Sequence, residues 1–287
     1  MRVQLRIFFL TVLAMLAFAG NSLLCRLALK TTAIDPASFT LIRLASGAVT
    51  LWLIMVSRKT SATGSWVSAA MLFIYATAFS FAYVNLPAAT GALILFGSVQ
   101  FTMLGYGVAK GDRLSAVQIA GMVIAVAGLV ILLLPGLATP SLTGSALMMA
   151  AGIAWGVYSL RGRHAGDPAR ATAGNFIRAV PFALALAAVM LPQLVPDTAG
   201  IGYAVASGAV TSATGYIVWY AAVRALKATT AASVQLSVPA LTALGGIAFL
   251  GEHLTWTLAL VCTGILGGVG LASLSGKTAG SASEQRP

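Results

Sequence analysis

Apolar runs of about twenty residues recur along nearly the whole chain, and that is the length a helix needs to cross roughly 30 Å of hydrocarbon. Such runs suit either the interior of a large soluble protein or a bilayer, and composition decides between them. Of the 287 residues, 59% are apolar and only 8% charged, against about one-quarter charged in soluble domains. Lipid is therefore the expected solvent. Spans are predicted at 7–29, 36–57, 66–84, 89–109, 115–134, 144–161, 172–192, 200–223, 229–250 and 255–274. The fold class is all-α integral membrane, with ten helices. Thirty Gly and ten Pro fit this reading, because neighbouring membrane helices satisfy freed backbone groups and small residues let backbones approach.

A net charge of +11 raises the question of nucleic acid. The basic residues, however, sit in short clusters between apolar runs and form no continuous patch, so no nucleic-acid partner is expected. Arg58-Lys59, Lys110/Arg113, Arg161/Arg163/Arg170 and Arg224/Lys227, with Arg2, Arg6, Lys277 and Arg286 at the ends, make thirteen of the seventeen basic residues. All fall in alternate connections or at the termini. The opposite connections, such as Asn85 to Thr90 and Pro192 to Gly200, carry none. The positive side of such a protein is cytoplasmic, which places both termini inside a bacterial inner membrane. Arg2 and Arg6 before Ala17-Phe18-Ala19-Gly20 have the form of a signal peptide. The apolar run continues to Leu29, however, and the segment has a partner later in the chain.

That partner is part of an internal echo at an offset of about 135 to 140 positions. Leu41-Ile42-Arg43 lies over Phe176-Ile177-Arg178, and Gly20 over Gly156. Thr102, Leu104, Gly105, Gly111, Leu114 and Gly128 match Thr242, Leu244, Gly245, Gly251, Leu254 and Gly268, with Asp112 over Glu252. Five spans per copy is an odd number, so the second copy must enter the membrane inverted. The loop charges agree, since Lys110-Gly111-Asp112-Arg113 answers to Leu250-Gly251-Glu252-His253. The expected organisation is a first five-helix repeat at 1–138, an inverted second at 139–275 and a disordered tail at 276–287.

The Gly111-Asp112-x-Leu114 and Gly251-Glu252-x-Leu254 turns, each before a glycine-rich last helix, resemble the repeated EamA-type domain of the drug/metabolite transporter superfamily. So does Asp35-Pro36 followed by Arg43. The likeness runs over residues 7 to 275. Asp112 stands where the family usually has Glu, Val99 where the second copy has Pro239, and Ala19-Gly20 where the second copy has Trp155-Gly156. The resemblance implies ten helices, alternating access and export of small metabolites, closest in character to exporters of aromatic and other neutral amino acids.

Physical reasoning puts a substrate site between the repeats near the midplane. Gln100 in the fourth span and Gln235 in the ninth lie there, beside Gly97 and Pro239. A buried amide needs a partner, and each glutamine suits a wet cavity or an interhelical hydrogen bond equally. Tyr75 and Phe79, Trp155 and Tyr158, and Tyr216 and Trp219 recur at helical spacing. These rings are read as cavity lining, the alternative being lipid-facing or packing rings, and Tyr83 as an interfacial ring. Arg43 and Arg178 suit a substrate carboxylate, snorkelling or a backbone bond, and their matching positions favour an architectural or gating role. Arg26 is read as a helix-end anchor, Asp112 and Glu252 as capping or loop carboxylates, and Asn21 as cavity-facing or as packing glue.

Nothing in the chain suggests an enzyme. There is no HExxH and no paired intramembrane carboxylates, and His164 and His253 fall in loops. No metal site, cofactor or disulfide is expected from Cys25 and Cys262. The expected partners are a small-molecule substrate and the lipid bilayer. Gly264-x-x-x-Gly268 suits packing within a monomer or a homodimer equally. A second transport reading, proton-coupled efflux of lipophilic or cationic drugs, normally needs a buried carboxylate, and none of the six acidic residues falls at midspan.

Overall fold

A computed structural model of the chain describes residues 2–111, 140–226, 228–235 and 237–253, with isolated positions at 116–124 and 256–267. Apart from those positions, the fifth and tenth predicted spans, Asp112, Cys262 and the tail lie outside the described residues. Within them the chain is helical and contains no strand. Its helices are α1 (Arg2–Thr31), α2 (Pro36–Ser57), α3 (Trp66–Tyr83), α4 (Ala88–Ala109), α5 (Leu142–Gly162) and α6 (Pro168–Val189). They continue with α7 (Thr198–Val223), α8 (Ala228–Gln235) and α9 (Ser237–Leu250). Eight segments among the described residues are long and apolar enough to cross a membrane, α8 and α9 together supplying one of them.

The helix starts follow from local chemistry. Asp35 accepts from the Ala37 and Ser38 N–H groups ahead of Pro36, and Asp167 accepts from Arg170 N–H ahead of Pro168. Ser65, Ser141 and Asp197 cap α3, α5 and α7 in the same way. The Asp167-Pro168 start places α6 four residues before its predicted beginning at 172, because Arg170 is helical and not part of the loop. Helix α4 has no side-chain cap of its own.

Packing is inverted relative to a soluble bundle. Small residues such as Ala14, Ala28, Ala76 and Ala92 are fully buried, while Leu13, Trp52, Leu53 and Leu184 are more than half exposed on the outer faces. That distribution lets helix backbones approach and gives large apolar side chains to lipid. Gly208 marks the closest crossing, where an added methyl would run into the Arg43 carbonyl oxygen and the Ser46 hydroxyl. The crossing brings the inner face of α2 directly against the middle of α7.

The connections gather at two ends. At one, Arg170 donates to Ser61, Arg178 to the Thr63 carbonyl (2.6 Å), Arg163 to the Leu226 carbonyl (3.2 Å) and Arg224 to the Gly166 carbonyl. At the other, Arg26 donates to the Tyr83 and Val84 carbonyls, Lys30 to the Leu250 carbonyl and the Val195 N–H to Asp35. Successive connections therefore alternate between ends, as crossing helices require.

Candidate functional site

The middle of α7 is where local structure departs from the ordinary helix. Ala206–Thr214 is π-helical, a geometry that frequently marks functional positions. Its Ser207, Thr211 and Ser212 hydroxyls converge on Asn21 Oδ1 of α1, at 2.8, 3.5 and 3.4 Å. Asn21 Nδ2 donates in turn to Tyr75 Oη at 3.1 Å. Arg43, 1% exposed, enters the same group from α2. Its Nε donates to Ser212 Oγ (3.1 Å), and its Nη2 donates to Tyr75 Oη (3.3 Å) and Tyr216 Oη (2.8 Å).

Against this polar group lies an aromatic cluster. Tyr75 packs on Phe79 (5.2 Å between ring centres) and on Trp155 (5.0 Å). Trp155 packs on Tyr216 (4.7 Å) and Tyr158 (5.4 Å). Phe18 sits among them, edge-on to Trp155, Tyr216 and Trp219 at 5.2 to 6.0 Å. The Trp155 indole N–H donates to Gln235 Oε1 (2.8 Å) and that of Trp219 to Ser159 Oγ (3.2 Å). Gln235 donates to the Ala231 carbonyl. Gln100 is 4% exposed, and its Oε1 has no hydrogen-bond partner among the described residues.

The structure thus brings Tyr75, Phe79, Trp155, Tyr158, Tyr216, Trp219 and Gln235 into one buried centre, with Gln100 buried on α4. It adds Phe18, Asn21 and Arg43. Tyr83 is corrected: it is fully buried, edge-on to Phe79, with its hydroxyl donating to the Ala88 carbonyl, so it is no interfacial ring. The two matching arginines also part company. Arg178 lies in part at the surface and reaches the Thr63 and Gly174 carbonyls, while Arg43 is enclosed. Arg43 draws its partners from distant parts of the chain, and Arg178 combines the distant Thr63 with Gly174 on its own helix.

A cavity of about 610 Å³ opens at the end of the bundle that carries Arg161 and His164, lined among others by Ser65, Ser68, Arg161, Asn175 and Tyr220. None of the eight predicted site residues lines it. Its floor nevertheless touches them, since Asn175 Nδ2 donates to Tyr158 Oη (3.5 Å) and Tyr220 Oη to the Tyr158 carbonyl (3.2 Å). Asn175 Oδ1 also accepts from Ser65 N–H, which ties the floor to the rim.

At the opposite end Glu252 ties two helices together. Both Glu252 carboxylate oxygens accept from the Ala88 N–H, at 2.9 and 3.0 Å, and Oε1 lies 3.5 Å from Arg26 Nε. Glu252 therefore supplies the cap that α4 lacks, and its charge complements the positive end of that helix dipole. Nearby, burial pushes the Asp35 carboxyl upward. The hydrogen bonds from Ser38, Val195 and Ala37 outweigh this and hold it below the ordinary carboxylate value.

Apolar helices long enough to span a bilayer, packed around an enclosed aromatic and polar centre beside an open cavity, are the architecture of a multi-pass membrane protein. The comparison with known proteins agrees: the EamA-like transporter family matches residues 142–274. The chain is 53% identical over 269 residues to an uncharacterized protein of Pseudomonas aeruginosa, covering 93% of this chain and 94% of that one. It is 34% identical over 139 residues to the threonine/homoserine exporter RhtA of Salmonella typhimurium, covering 47% of each. A crystal structure of a protein 20% identical in sequence superposes with a TM-score of 0.70 over 95% of this chain and 98% of that one, a likeness of fold alone. The chain belongs to the EamA-like transporter family, and it is a drug/metabolite transporter of that type.

Proposed function

We propose that the chain exports small metabolites, chiefly neutral amino acids including aromatic ones, across a bacterial inner membrane by alternating access. The observation that carries this reading is the enclosed aromatic and polar centre, one hydrogen bond away from an open cavity. Such a centre offers stacking surface for an apolar side chain and hydrogen bonds for a polar head. The likeness to RhtA, a threonine/homoserine exporter, supports the amino-acid class.

The open end carries Arg58, Arg161, Arg163, Arg170 and Arg224, and we assign it to the cytoplasm with both termini. On that assignment the cavity opens inward. We further propose ten helices in two inverted repeats, 1–138 and 139–275. Sequence echo and reversed loop charge support this, as does a paired contact: Arg26 on the Val84 carbonyl at one end answers to Arg163 on the Leu226 carbonyl at the other. Efflux of cations has less support, because the charge enclosed at the described centre is itself a cation, Arg43.

Uptake into liposomes of radiolabelled threonine, homoserine and phenylalanine, with and without a pH gradient, tests the function. Saturable uptake of at least one is expected. Trp155→Phe and Tyr216→Phe keep a ring in place and remove its polar tip, so folded yield should hold while initial uptake falls about tenfold, the equivalent of about 1.4 kcal/mol. Wild-type protein that moved none of the three would refute the reading.

A further inference from the structure

Arg43 is a permanent cation in a place where charge is normally excluded. It is 1% exposed, its Nη1 has no hydrogen-bond partner, and Arg26–Glu252 is the single ion pair among the described residues. No acidic residue occurs anywhere within α2, α3 or α7. Its polar neighbours are all neutral, namely Ser212, Tyr75 and Tyr216, and the rings of Tyr75 and Phe79 lie 5.2 and 5.1 Å from the guanidinium carbon. An enclosed cation held only by neutral groups is poorly compensated.

The hydrogen-bond inventory points the same way. Tyr75 Oη accepts from both Asn21 and Arg43, and Tyr216 Oη accepts from Arg43. Neither phenol donates to an acceptor outside the Tyr75–Tyr216 pair in the described bonds. Asn21 Oδ1 already accepts from Ser207 and Ser212. The group is thus rich in donors, short of acceptors and positively charged. A carboxylate has the opposite character: it is acceptor-only, has about four lone-pair sites and matches the planar guanidinium fork.

We propose that Arg43, with the hydroxyls of Tyr75 and Tyr216, receives the carboxylate of the transported molecule. This rests on the reading of the buried centre as the transport site. It narrows the substrate class to small molecules bearing a carboxylate, their side chains lying toward Phe18, Trp155 and Trp219. An α-amino acid meets this requirement, and its amide or decarboxylated amine does not. The matching Arg178 takes no part, because its guanidinium is already on the Thr63 and Gly174 carbonyls.

The test is tryptophan-fluorescence titration of the purified protein in lipid nanodiscs with L-threonine and L-phenylalanine, each against its amide. In wild type the amides should bind at least about tenfold more weakly. In Arg43→Gln, binding of the acids should fall by about tenfold or more while the amides stay within about twofold, which erases the discrimination. Arg43→Lys should fall between, since it keeps the charge and loses the fork. Equal binding of acid and amide in wild type overturns the assignment without any variant, and so does an Arg43→Gln protein that weakens both alike. If wild type binds neither acids nor amides, the transport-site reading fails and the assignment goes with it. Acids bound no better than amides condemn Arg43 alone.

Discussion

Asn21 joins three helices through one amide. Its oxygen takes hydroxyls from the π-helical part of α7, and its nitrogen serves Tyr75 on α3. Replacing it by Ala leaves the buried Ser207 hydroxyl without its acceptor, while Thr211 keeps the Ser207 carbonyl, at a cost of about 1–3 kcal/mol. Asn21→Ala should accordingly lower the thermal unfolding midpoint in detergent and weaken substrate binding together. Glycines supply a sharper contrast. Gly208→Ala sets a methyl against backbone and should abolish folded yield, whereas Gly97 has nothing within 4 Å of an added methyl among the described residues, and Gly97→Ala should keep a larger folded yield. Size-exclusion profiles of the two variants decide this, and comparable profiles would refute the close-crossing account. The buried amides and rings were legible as residue types at helical spacing. Their pairing was not, because Arg43 and Ser212 are 169 positions apart and only the α2–α7 crossing joins them.

At the scale of elements, the Asp35-Pro36 and Ser65 starts fall where the spans were predicted, whereas Asp167-Pro168 was passed over, and the predicted spans mostly fall within a few residues of the observed helices. The π-helical segment was invisible, since Ala206–Thr214 contains no Pro and its hydroxyls find their acceptor on another helix. Asp35 provides a test of the local chemistry. Its carboxyl is held below the ordinary value in the fold, so the stability it contributes is fully present above the unfolded value of about 3.9 and is lost as pH falls through the folded one. Thermal unfolding followed from pH 6 to pH 3 should show a decline below about pH 4 that is reduced in Asp35→Asn. Helix α4 depends on a distant residue for its cap. Glu252→Gln keeps the shape and removes the charge, so both the dipole interaction and the Arg26 pair weaken, by about 1 kcal/mol at a helix N-terminus. A cysteine placed at Asn85 beside that helix start should then react faster with a membrane-impermeant maleimide than in the otherwise wild-type background.

For the whole molecule, the alternation of connections between two ends has a direct test. In a background with Cys25 and Cys262 replaced by Ala, Asn85→Cys should label from outside the cell only, and Gly166→Cys from inside only. Both positions are exposed and lie at opposite ends of the bundle. Labelling of both from one side would refute the topology. The spans were legible because lipid imposes both length and apolarity on a helix, whereas the cap on α4 was not, because Glu252 works through a contact 164 positions away. That borrowed cap gives the molecule a bias. On the proposed alternating access, a movement that parts Glu252 from α4 leaves the helix with a bare positive pole, so the contact favours the arrangement in which it is made. Salt weakens such a charge–dipole contact, so maleimide labelling of Asn85→Cys should quicken as salt is raised, a dependence on the medium that a purely apolar contact would not show.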